Sequence, residues 1–328
     1  MKKNLMFLAL ASLGLGLASC NGGFKKGDGG MLYEIHVDKG GTPIQTGDFM
    51  SLNLVAKTDG DSVLFSTYES GRAIQMVEQK SQAKGDIFSA LGKLAEGDSA
   101  TIKIPADSMF KKGQGKPPGF KGKYLVYDIK IDKVIAKGTL SDAVFNGRIT
   151  DYIKAQGLTL KAAEPVKIKN YIAHEKLNVT QTADSLDYVI TQQGNGPKPA
   201  VGDTVVVNYT GRLLNGKVFD TSIKDTAVKA KLAVDPMRQY KPIRIPVGLK
   251  RVIPGWDEGL MLLSKGSKAI FIIPSHLAYG DRGMSIIGPF TPLAFEVELI
   301  DIVHANPNAL KPVEPMKLPP PVNLPTKK

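Results

Sequence analysis

The 328-residue sequence has one cysteine, Cys20, and one tryptophan, Trp256. A single cysteine excludes an intramolecular disulfide, so the fold must depend on its hydrophobic core. The four histidines, at positions 36, 174, 276 and 304, show no metal-ligand spacing, and we predict no metal site and no cofactor. The sequence also lacks an apolar run of the roughly 20 residues that cross a bilayer, which argues against a permanent transmembrane helix.

The charge is strongly positive, because 43 Lys and Arg stand against 31 Asp and Glu. Nucleic-acid binding is one possible explanation of such a net positive charge. Here the basic residues are scattered without long runs or interleaved aromatics, so we predict no nucleic-acid partner. A generally basic, solvated surface is favoured, and attraction to an anionic membrane is the alternative. The 34 glycines and 21 prolines imply many turns and favour a β-rich structure.

The first 30 residues are typical of export rather than of a folded domain. Lys2 and Lys3 precede the short apolar segment LMFLALASLGLGLA, an order that predicts a signal peptide over residues 1–19. The motif LASC, which ends at Cys20, resembles the bacterial lipobox, in which the cysteine is lipidated and becomes the mature N-terminus. We therefore predict an exported bacterial lipoprotein anchored to a membrane through Cys20, with the outer membrane favoured over the inner one. Residues 20–30 would form a Gly-rich flexible tether.

The body of the chain contains two copies of one pattern. The segment GDFMSLNLVAKTDGDSVLFST begins at Gly47, and GDTVVVNYTGRLLNGKVFDTS begins at Gly202. Two further pairs of similar segments follow in the same order, and about 14 extra residues of the second copy fall between Asp220 and Trp256. Apolar residues alternate or form short runs bounded by Gly, Pro and Asp, which predicts antiparallel sheets. The self-similarity predicts two domains of one fold.

A short helix is predicted after Pro254 in the second copy. Trp256, Leu260 and Leu263 stand at positions i, i+4 and i+7, and a proline suits the first turn of a helix. Each copy should therefore be a twisted antiparallel sheet wrapped around one short helix, which predicts the α+β class.

Two further segments lie outside the copies. Residues 136–185 predict a helical linker made of two amphipathic helices, broken at Gly157 and Pro165. Residues 304–328 are rich in Pro and Lys without periodicity, which predicts a disordered or polyproline-like tail.

Three segments of the second copy carry a resemblance to a known family. They are VVVNYTGRLLNGKVFDTS, PIRIPVGLKRVIPGWDEGLMLLSKGSKAIFIIPSHLAYG and IIGPFTPLAFEVELI. Residues 186–303, which contain them, resemble the FKBP-type peptidyl-prolyl cis–trans isomerases. The resemblance implies a rotamase that assists the folding of exported proteins, with unfolded or Pro-containing polypeptides as substrates. It also implies an FKBP-like fold for both copies.

The resemblance further implies a prolyl pocket in the second copy. Trp256 would form its floor, and the Tyr279 hydroxyl and the Ile253 N–H would bind substrate carbonyl groups. Asp220 would either face the carbonyl carbon of the twisted bond or orient Tyr209, and both roles stay open. The implied catalytic residues are Tyr209, Phe219, Asp220, Ile253, Trp256, Tyr279 and Phe295, and the implied substrate-binding residues are Ile243, Val252, Ile286 and Ile287.

The first copy lacks the polar groups of this pocket. The alignment places Leu54, Ser66, Ile87, Phe110 and Tyr127 where the second copy has Tyr209, Asp220, Trp256, Tyr279 and Phe295. Residues 31–135 are therefore predicted to be a divergent, inactive FKBP-like domain, which leaves open a role in binding a protein partner. The alternative function for the whole chain is a non-catalytic holdase, in which both domains grip unfolded or Pro-containing segments.

Overall fold

The computed structural model describes residues 23–110, 120, 122–232 and 237–305. The chain divides into two compact units, each with its own buried hydrophobic core. Of the described residues, the first unit contains those up to Ser66 and those within Ala73–Leu140. The second contains Thr67–Arg72 and the described residues that follow Leu140.

The first unit is built on an antiparallel sheet whose described strands pair in the order β1-β2-β6-β7-β3-β4, with β5 also paired to β3. Side chains on its long strands alternate between buried and less buried positions, as expected for a sheet that covers a core on one face. The strands are β1 Lys25–Lys26, β2 Leu32–Val37, β3 Phe49–Thr58, β4 Val63–Ser66, β5 Ile74–Val77, β6 Ser99–Pro105 and β7 Tyr124–Ile135. The helices of this unit are α2 Ile87–Leu91 and α3 Ala106–Phe110, whereas α1 Thr67–Ser70, which follows β4 in the sequence, belongs to the second unit.

The second unit is built on a sheet in the order β8-β9-β13-β14-β10-β11, with β12 also paired to β10. Its strands are β8 Thr180–Gln181, β9 Asp187–Gln192, β10 Thr204–Leu213, β11 Val218–Thr221, β12 Ile243–Pro246, β13 Lys268–Ile273 and β14 Leu293–Val303. Its other helices are α4 Asp142–His174, α5 Lys224–Lys229 and α6 Pro254–Leu262.

The two sheets share one strand order. Strands β2, β6, β7, β3 and β4 of the first unit occupy the places of β9, β13, β14, β10 and β11 in the second. All of these neighbours pair antiparallel. The predicted α+β class, with two antiparallel sheets and a few helices, is confirmed.

The strand register corrects one pairing predicted from the sequence. In the first sheet Ala56 lies opposite Phe65, and in the second sheet Gly211 lies opposite Asp220. Since β3 and β10 align without a gap, Phe65 rather than Ser66 is the counterpart of Asp220. The sequence alignment matched the phenylalanines of the two hairpins and so shifted β4 by one residue. Such a shift moves a side chain to the opposite face of a sheet.

Helix α6 begins at Pro254, as predicted. A proline at this point costs no helical hydrogen bond, because the first N–H groups of a helix have no partner within it. Trp256, Leu260 and Leu263 are all buried in the core of the second unit. The helix therefore contributes one apolar face to the sheet.

The linker is one continuous helix, so the predicted breaks at Gly157 and Pro165 are wrong. Glycine and proline cost about 1 and about 3 kcal/mol in a helix interior, and tertiary contacts can offset such costs. Glu164, directly before the proline, is buried and bonded to a residue outside the helix. Only Phe145 and Glu164 of α4 are buried, so the helix also lacks the apolar face that an amphipathic helix would bury.

Two predicted segments fall outside the described residues. The signal peptide and Cys20 lie within residues 1–22, and nearly all of the predicted tail lies within residues 306–328. In the part of the chain that the structure describes, no helix combines the length and the apolar character needed to span a membrane.

Glu78 is a buried carboxyl group of the first unit. The residue is 4% exposed, and its Oε2 has no hydrogen-bond partner among the described residues. Burial, followed by the charges of Asp86 and Asp48, raises the pKa of Glu78 from 4.5 to about 7. An ionised Glu78 therefore destabilises the folded first unit.

We expect Glu78→Gln to stabilise the first unit at pH 8. Between pH 4.5 and about 7 the folded state retains the Glu78 proton while the unfolded chain has released it, so the free energy of unfolding falls as the pH rises. The amide cannot ionise, and it should therefore raise the free energy of unfolding at pH 8 by about 1–3 kcal/mol. Calorimetry at pH 5 and pH 8 measures this difference.

The fluorescence of Trp256, which lies in the second unit, serves as an internal control. This fluorescence should report the unfolding of the second unit, and Glu78→Gln should leave that unfolding transition unchanged. Glu34→Gln, at a partly exposed position on β2, should retain the pH dependence of the wild type. The same pH dependence in the Glu78→Gln variant would show that another group is responsible.

Candidate active site

An aromatic cluster lies in the core of the second unit. Trp256 of α6 stands edge-on to Tyr209 of β10 and to Phe295 of β14, with ring centroids 5.2 and 5.1 Å apart. Phe219 of β11 packs perpendicular to Phe295 at 5.6 Å. Perpendicular ring pairs at these distances are favourable beyond the area that they bury. Because the four rings come from one helix and three strands, their positions are set by the scaffold.

The other apolar residues predicted to line the pocket belong to the same hydrophobic cluster. Ile287 is buried, and the rest are partly buried and therefore retain some exposed apolar surface. These partly buried members are Phe219, Ile243, Val252, Ile253, Tyr279 and Ile286. All ten apolar or aromatic residues predicted for the site thus belong to one cluster.

Asp220 forms a polar edge beside the rings. Its Oδ2 accepts a hydrogen bond of 2.6 Å from the Tyr209 hydroxyl, and its Oδ1 lies 2.7 Å from Nη2 of Arg238. Arg238 also donates to the Tyr209 hydroxyl at 3.3 Å and to the carbonyl oxygen of Thr221 at 3.0 Å. The Tyr209 hydroxyl therefore acts as both donor and acceptor within the protein.

Both tyrosines of the site remain protonated at neutral pH. Burial, followed by the hydrogen bond to Asp220, raises the pKa of Tyr209 well above its usual range. Burial, followed by the charge of Asp220, also raises the pKa of Tyr279. Neither phenol can therefore act as a base. In the described parts of the chain, no group of three or more His, Cys, Asp or Glu side chains is arranged to bind a metal ion.

Three hydrogen-bond donors of the cluster have no acceptor among the described residues. They are the Tyr279 hydroxyl, the Ile253 N–H and the indole N–H of Trp256. The indole group is buried, and a buried unpaired donor costs free energy. Tyr279 and Ile253 are only partly buried, so their donors can bind a carbonyl group that enters from solvent.

Arg238 is the site residue that the sequence analysis missed. It lies in residues 222–242 between β11 and β12, whereas only residues 67–73 separate β4 from β5 in the first copy of the sequence pattern. It therefore belongs to the extra segment of the second copy, and no motif or periodicity marks it. The sequence did offer one indication of such a residue. Asp220 was expected among apolar residues, and a carboxylate in such surroundings needs a cationic partner.

The equivalent positions of the first unit are apolar. By strand register, Leu54 and Phe65 lie where the second sheet has Tyr209 and Asp220. Neither side chain can accept or donate a hydrogen bond. The polar edge of the second unit therefore has no equivalent at these positions.

Comparison with known proteins places these observations in a family. The pattern of the family described as FKBP-type peptidyl-prolyl cis-trans isomerase matches residues 196–300. The FKBP-type 22 kDa peptidyl-prolyl cis-trans isomerase of Escherichia coli strain K12 is 40% identical over 154 residues, which are 47% of this chain and 66% of that protein. The FKBP-type peptidyl-prolyl cis-trans isomerase FkpA of Escherichia coli O6:H1 is 31% identical over 255 residues, which are 75% of this chain and 84% of that protein.

The coverage differs between these relatives. The chain spans just under two thirds of the 22 kDa protein and more than four fifths of FkpA. Among solved structures, the crystal structure of FkpA from Escherichia coli matches with 34% identity and a TM-score of 0.39. That match covers 51% of this chain and 75% of the FkpA chain.

We expect Gly211→Ala to disturb the aromatic cluster. A Cβ at this position would lie 2.7 Å from the rings of Phe219 and Phe295, closer than van der Waals contact allows. The methyl group should displace both rings and lower the free energy of unfolding of the second unit by about 1–3 kcal/mol. Urea unfolding followed by the fluorescence of Trp256 measures this change.

Gly147→Ala on α4 is the matched control, because a Cβ there would meet nothing within 4 Å. This variant should leave stability unchanged or raise it by up to about 1 kcal/mol. If Gly211→Ala were as stable as the wild type, the rings would have room to move and the close packing inferred here would be wrong.

Proposed function

Because the chain belongs to the FKBP-type peptidyl-prolyl cis-trans isomerase family, we propose that its second unit accelerates the cis–trans isomerisation of X-Pro bonds. The family acts on proline-containing polypeptides. The observation that carries the proposal is an aromatic cluster beside which the Tyr279 hydroxyl and the Ile253 N–H have no partner among the described residues. The similarities favour catalysis over the non-catalytic holdase.

The reaction needs no nucleophile and no proton transfer. Rotation about an X-Pro bond is slow, over tens to hundreds of seconds, because the planar resonance of the amide must be lost against a barrier of roughly 18–20 kcal/mol. Twisting the amide reduces the charge separation between its oxygen and its nitrogen. An apolar environment therefore binds the twisted form better than the planar form, which is the differential binding that catalysis requires.

The aromatic cluster supplies such an environment. In the proposed complex Trp256 forms the floor under the proline ring, with Phe219 and Phe295 as walls. Donors from Tyr279 and Ile253 hold the carbonyl groups of the substrate. The remaining substrate-binding residues are Ile243, Val252, Ile286 and Ile287.

We assign Asp220 the role of orienting Tyr209. The assignment is supported by the 2.6 Å bond between them and by Arg238, which offsets the charge of the carboxylate. The hydroxyl of Tyr209 is occupied by these two partners, whereas that of Tyr279 is available. The two tyrosines thus have different roles: Tyr209 shapes the site, and Tyr279 binds the substrate.

The first unit is proposed to have no isomerase activity. Leu54 and Phe65 stand where the second unit has Tyr209 and Asp220, and neither can replace their hydrogen bonds. The shared strand order supports an origin of both units from one repeated pattern.

We expect Tyr279→Phe and Asp220→Ala each to lower kcat/KM of the full chain by roughly tenfold to a hundredfold. A hydrogen bond that Tyr279 makes mainly in the transition state is worth about 1–3 kcal/mol, and loss of Asp220 frees Tyr209, which shapes the site. Because Asp220 and Tyr279 serve the same bound state, the double variant should lose less than the product of the two single effects. A protease-coupled assay on a proline peptide measures the rates.

Tyr188→Phe is the matched control, since Tyr188 packs against the same core but was not predicted in the site. It should retain the activity of the wild type. If Tyr279→Phe and Asp220→Ala both fold and keep full activity, catalysis takes place at another site, for example in the first unit. Suppression of aggregation without any isomerase activity in the wild type would establish the holdase instead.

The N-terminal motif supports a membrane-anchored location. We propose that the exported protein is lipidated at Cys20, because a basic start, a short apolar segment and LASC occur in order. The mature protein would then sit on a bacterial membrane, with the outer membrane favoured, and meet proteins that fold after export.

We expect Cys20→Ala to abolish lipidation and membrane attachment, because the single cysteine is the only residue that can carry a thioether-linked lipid. Incorporation of a labelled fatty acid and membrane fractionation measure the effect. Ser19→Ala, one residue earlier, should keep both. Retention of Met1 or an unmodified N-terminus in the mass spectrum of the wild type would contradict the proposal.

A further inference from the structure

Glu164 is a buried carboxylate in the interior of α4, outside the segment that matches the family. The residue is 7% exposed. Its Oε1 accepts a hydrogen bond of 2.5 Å from the N–H of Ser275, and its Oε2 accepts one of 2.8 Å from the Ser275 hydroxyl. Burying a carboxylate is costly unless it is hydrogen-bonded. Both oxygens are therefore committed to a single residue of the second unit.

Ser275 controls the backbone on both sides of Tyr279. It begins a single 3-10 turn, Ser275–Leu277, and is itself buried. Its carbonyl oxygen accepts hydrogen bonds from the N–H groups of Ala278 at 2.9 Å and Gly280 at 2.8 Å. The residues directly before and after Tyr279 are thus bonded to the residue that Glu164 holds.

Helix α4 contacts the far end of the same loop. The N–H of Phe290 donates to the carbonyl oxygen of Gly280 at 2.9 Å. A Cβ at Gly157, two turns before Glu164, would lie 3.3 Å from the Phe290 ring, so the helix backbone is close to that ring. One face of α4 therefore touches both ends of the loop that carries Tyr279, Ile286 and Ile287.

We propose that Glu164 is a positioning residue of the isomerase site, and that α4 is part of the catalytic unit rather than a connector. Glu164 does not touch the substrate. It fixes Ser275, and through the bonds to Ala278 and Gly280 it fixes the Tyr279 hydroxyl relative to Trp256. The inference rests on the proposed function, because it assigns a support to the same site.

The chemistry explains why a carboxylate is used here. An apolar side chain at position 164 would leave the Ser275 N–H and hydroxyl without a partner in a buried place, whereas a carboxylate accepts from both. These two hydrogen bonds fix the orientation of Ser275 as well as its distance from α4. A catalytic donor displaced by about 1 Å can cost roughly a hundredfold in rate.

The test uses the full chain with Glu164→Ala and Glu164→Gln. We expect Glu164→Ala to lower kcat about five- to twentyfold with KM nearly unchanged, because the donor is misplaced while the apolar cluster stays. Glu164→Gln should stay within about threefold of the wild type, since the amide oxygen still accepts from the Ser275 N–H and the amide NH₂ can donate to the hydroxyl. Asp151→Ala, which removes an exposed carboxylate from the same helix, should not change kcat.

A double-mutant cycle separates positioning from a purely structural role. If Glu164 acts through Tyr279, Glu164→Ala should change kcat little in a protein that already carries Tyr279→Phe. Equal fold losses in both backgrounds would overturn the proposal. So would a Glu164→Ala protein that loses stability but keeps the wild-type kcat per folded molecule.

Hydrogen exchange gives a readout that does not depend on activity. Glu164→Ala should speed exchange at the amides of Ala278, Gly280 and Phe290, whereas Asp151→Ala should not. Unchanged protection at these amides would overturn the proposal even if the enzyme is active. Absence of activity in the wild type would overturn the proposed function, and the exchange data would then decide alone whether Glu164 holds this loop.

Should Glu164→Ala fail to fold, Ser275→Ala removes one of the two bonds and should show the same pattern at a smaller amplitude.

Discussion

The close approach of α6 to the second sheet is the constraint on which the site depends. A Cβ at Gly259 of the helix would lie 2.7 Å from the ring of Phe271, and one at Gly211 of β10 would lie 2.7 Å from the ring of Phe295. Phe271 and Phe295 are register partners on β13 and β14. The two glycines allow backbone and rings to touch. This contact holds Trp256 edge-on to its neighbours, so the position of its ring is set by the packing of the core.

The two tyrosines of the proposed site differ in whether their hydroxyl groups have hydrogen-bond partners within the described residues. Tyr209 donates to Asp220 and accepts from Arg238, so its hydrogen bonds are satisfied within the protein. Tyr279 is held by backbone bonds of its loop, and its hydroxyl has no partner among the described residues. A preorganised donor beside an apolar surface suits a reaction in which no bond is broken and only the polarity of an amide changes.

The first unit shows that scaffold and site are separable. It repeats the strand order of the second unit, and its own core is well buried. At the positions of Tyr209 and Asp220 it has Leu54 and Phe65, which preserve packing but supply no hydrogen bond. The strand order can therefore be kept where the hydrogen-bonding side chains of the second unit are replaced by apolar ones.

The amino-acid sequence by itself determined the strands and the helix that starts at Pro254, because periodicity and turn residues are local signals. The apolar residues around Trp256 were identified through the resemblance of three sequence segments to a known family. Tertiary structure decided the rest. Packing kept α4 continuous through Pro165 against local propensity, and strand register paired Asp220 with a different residue than the alignment did. The bond from Glu164 joins residues 111 positions apart, and that of Arg238 arises in an extra segment without a motif. Such pairings depend on which polar side chains come into contact when the chain folds, and no local sequence pattern predicts these long-range contacts.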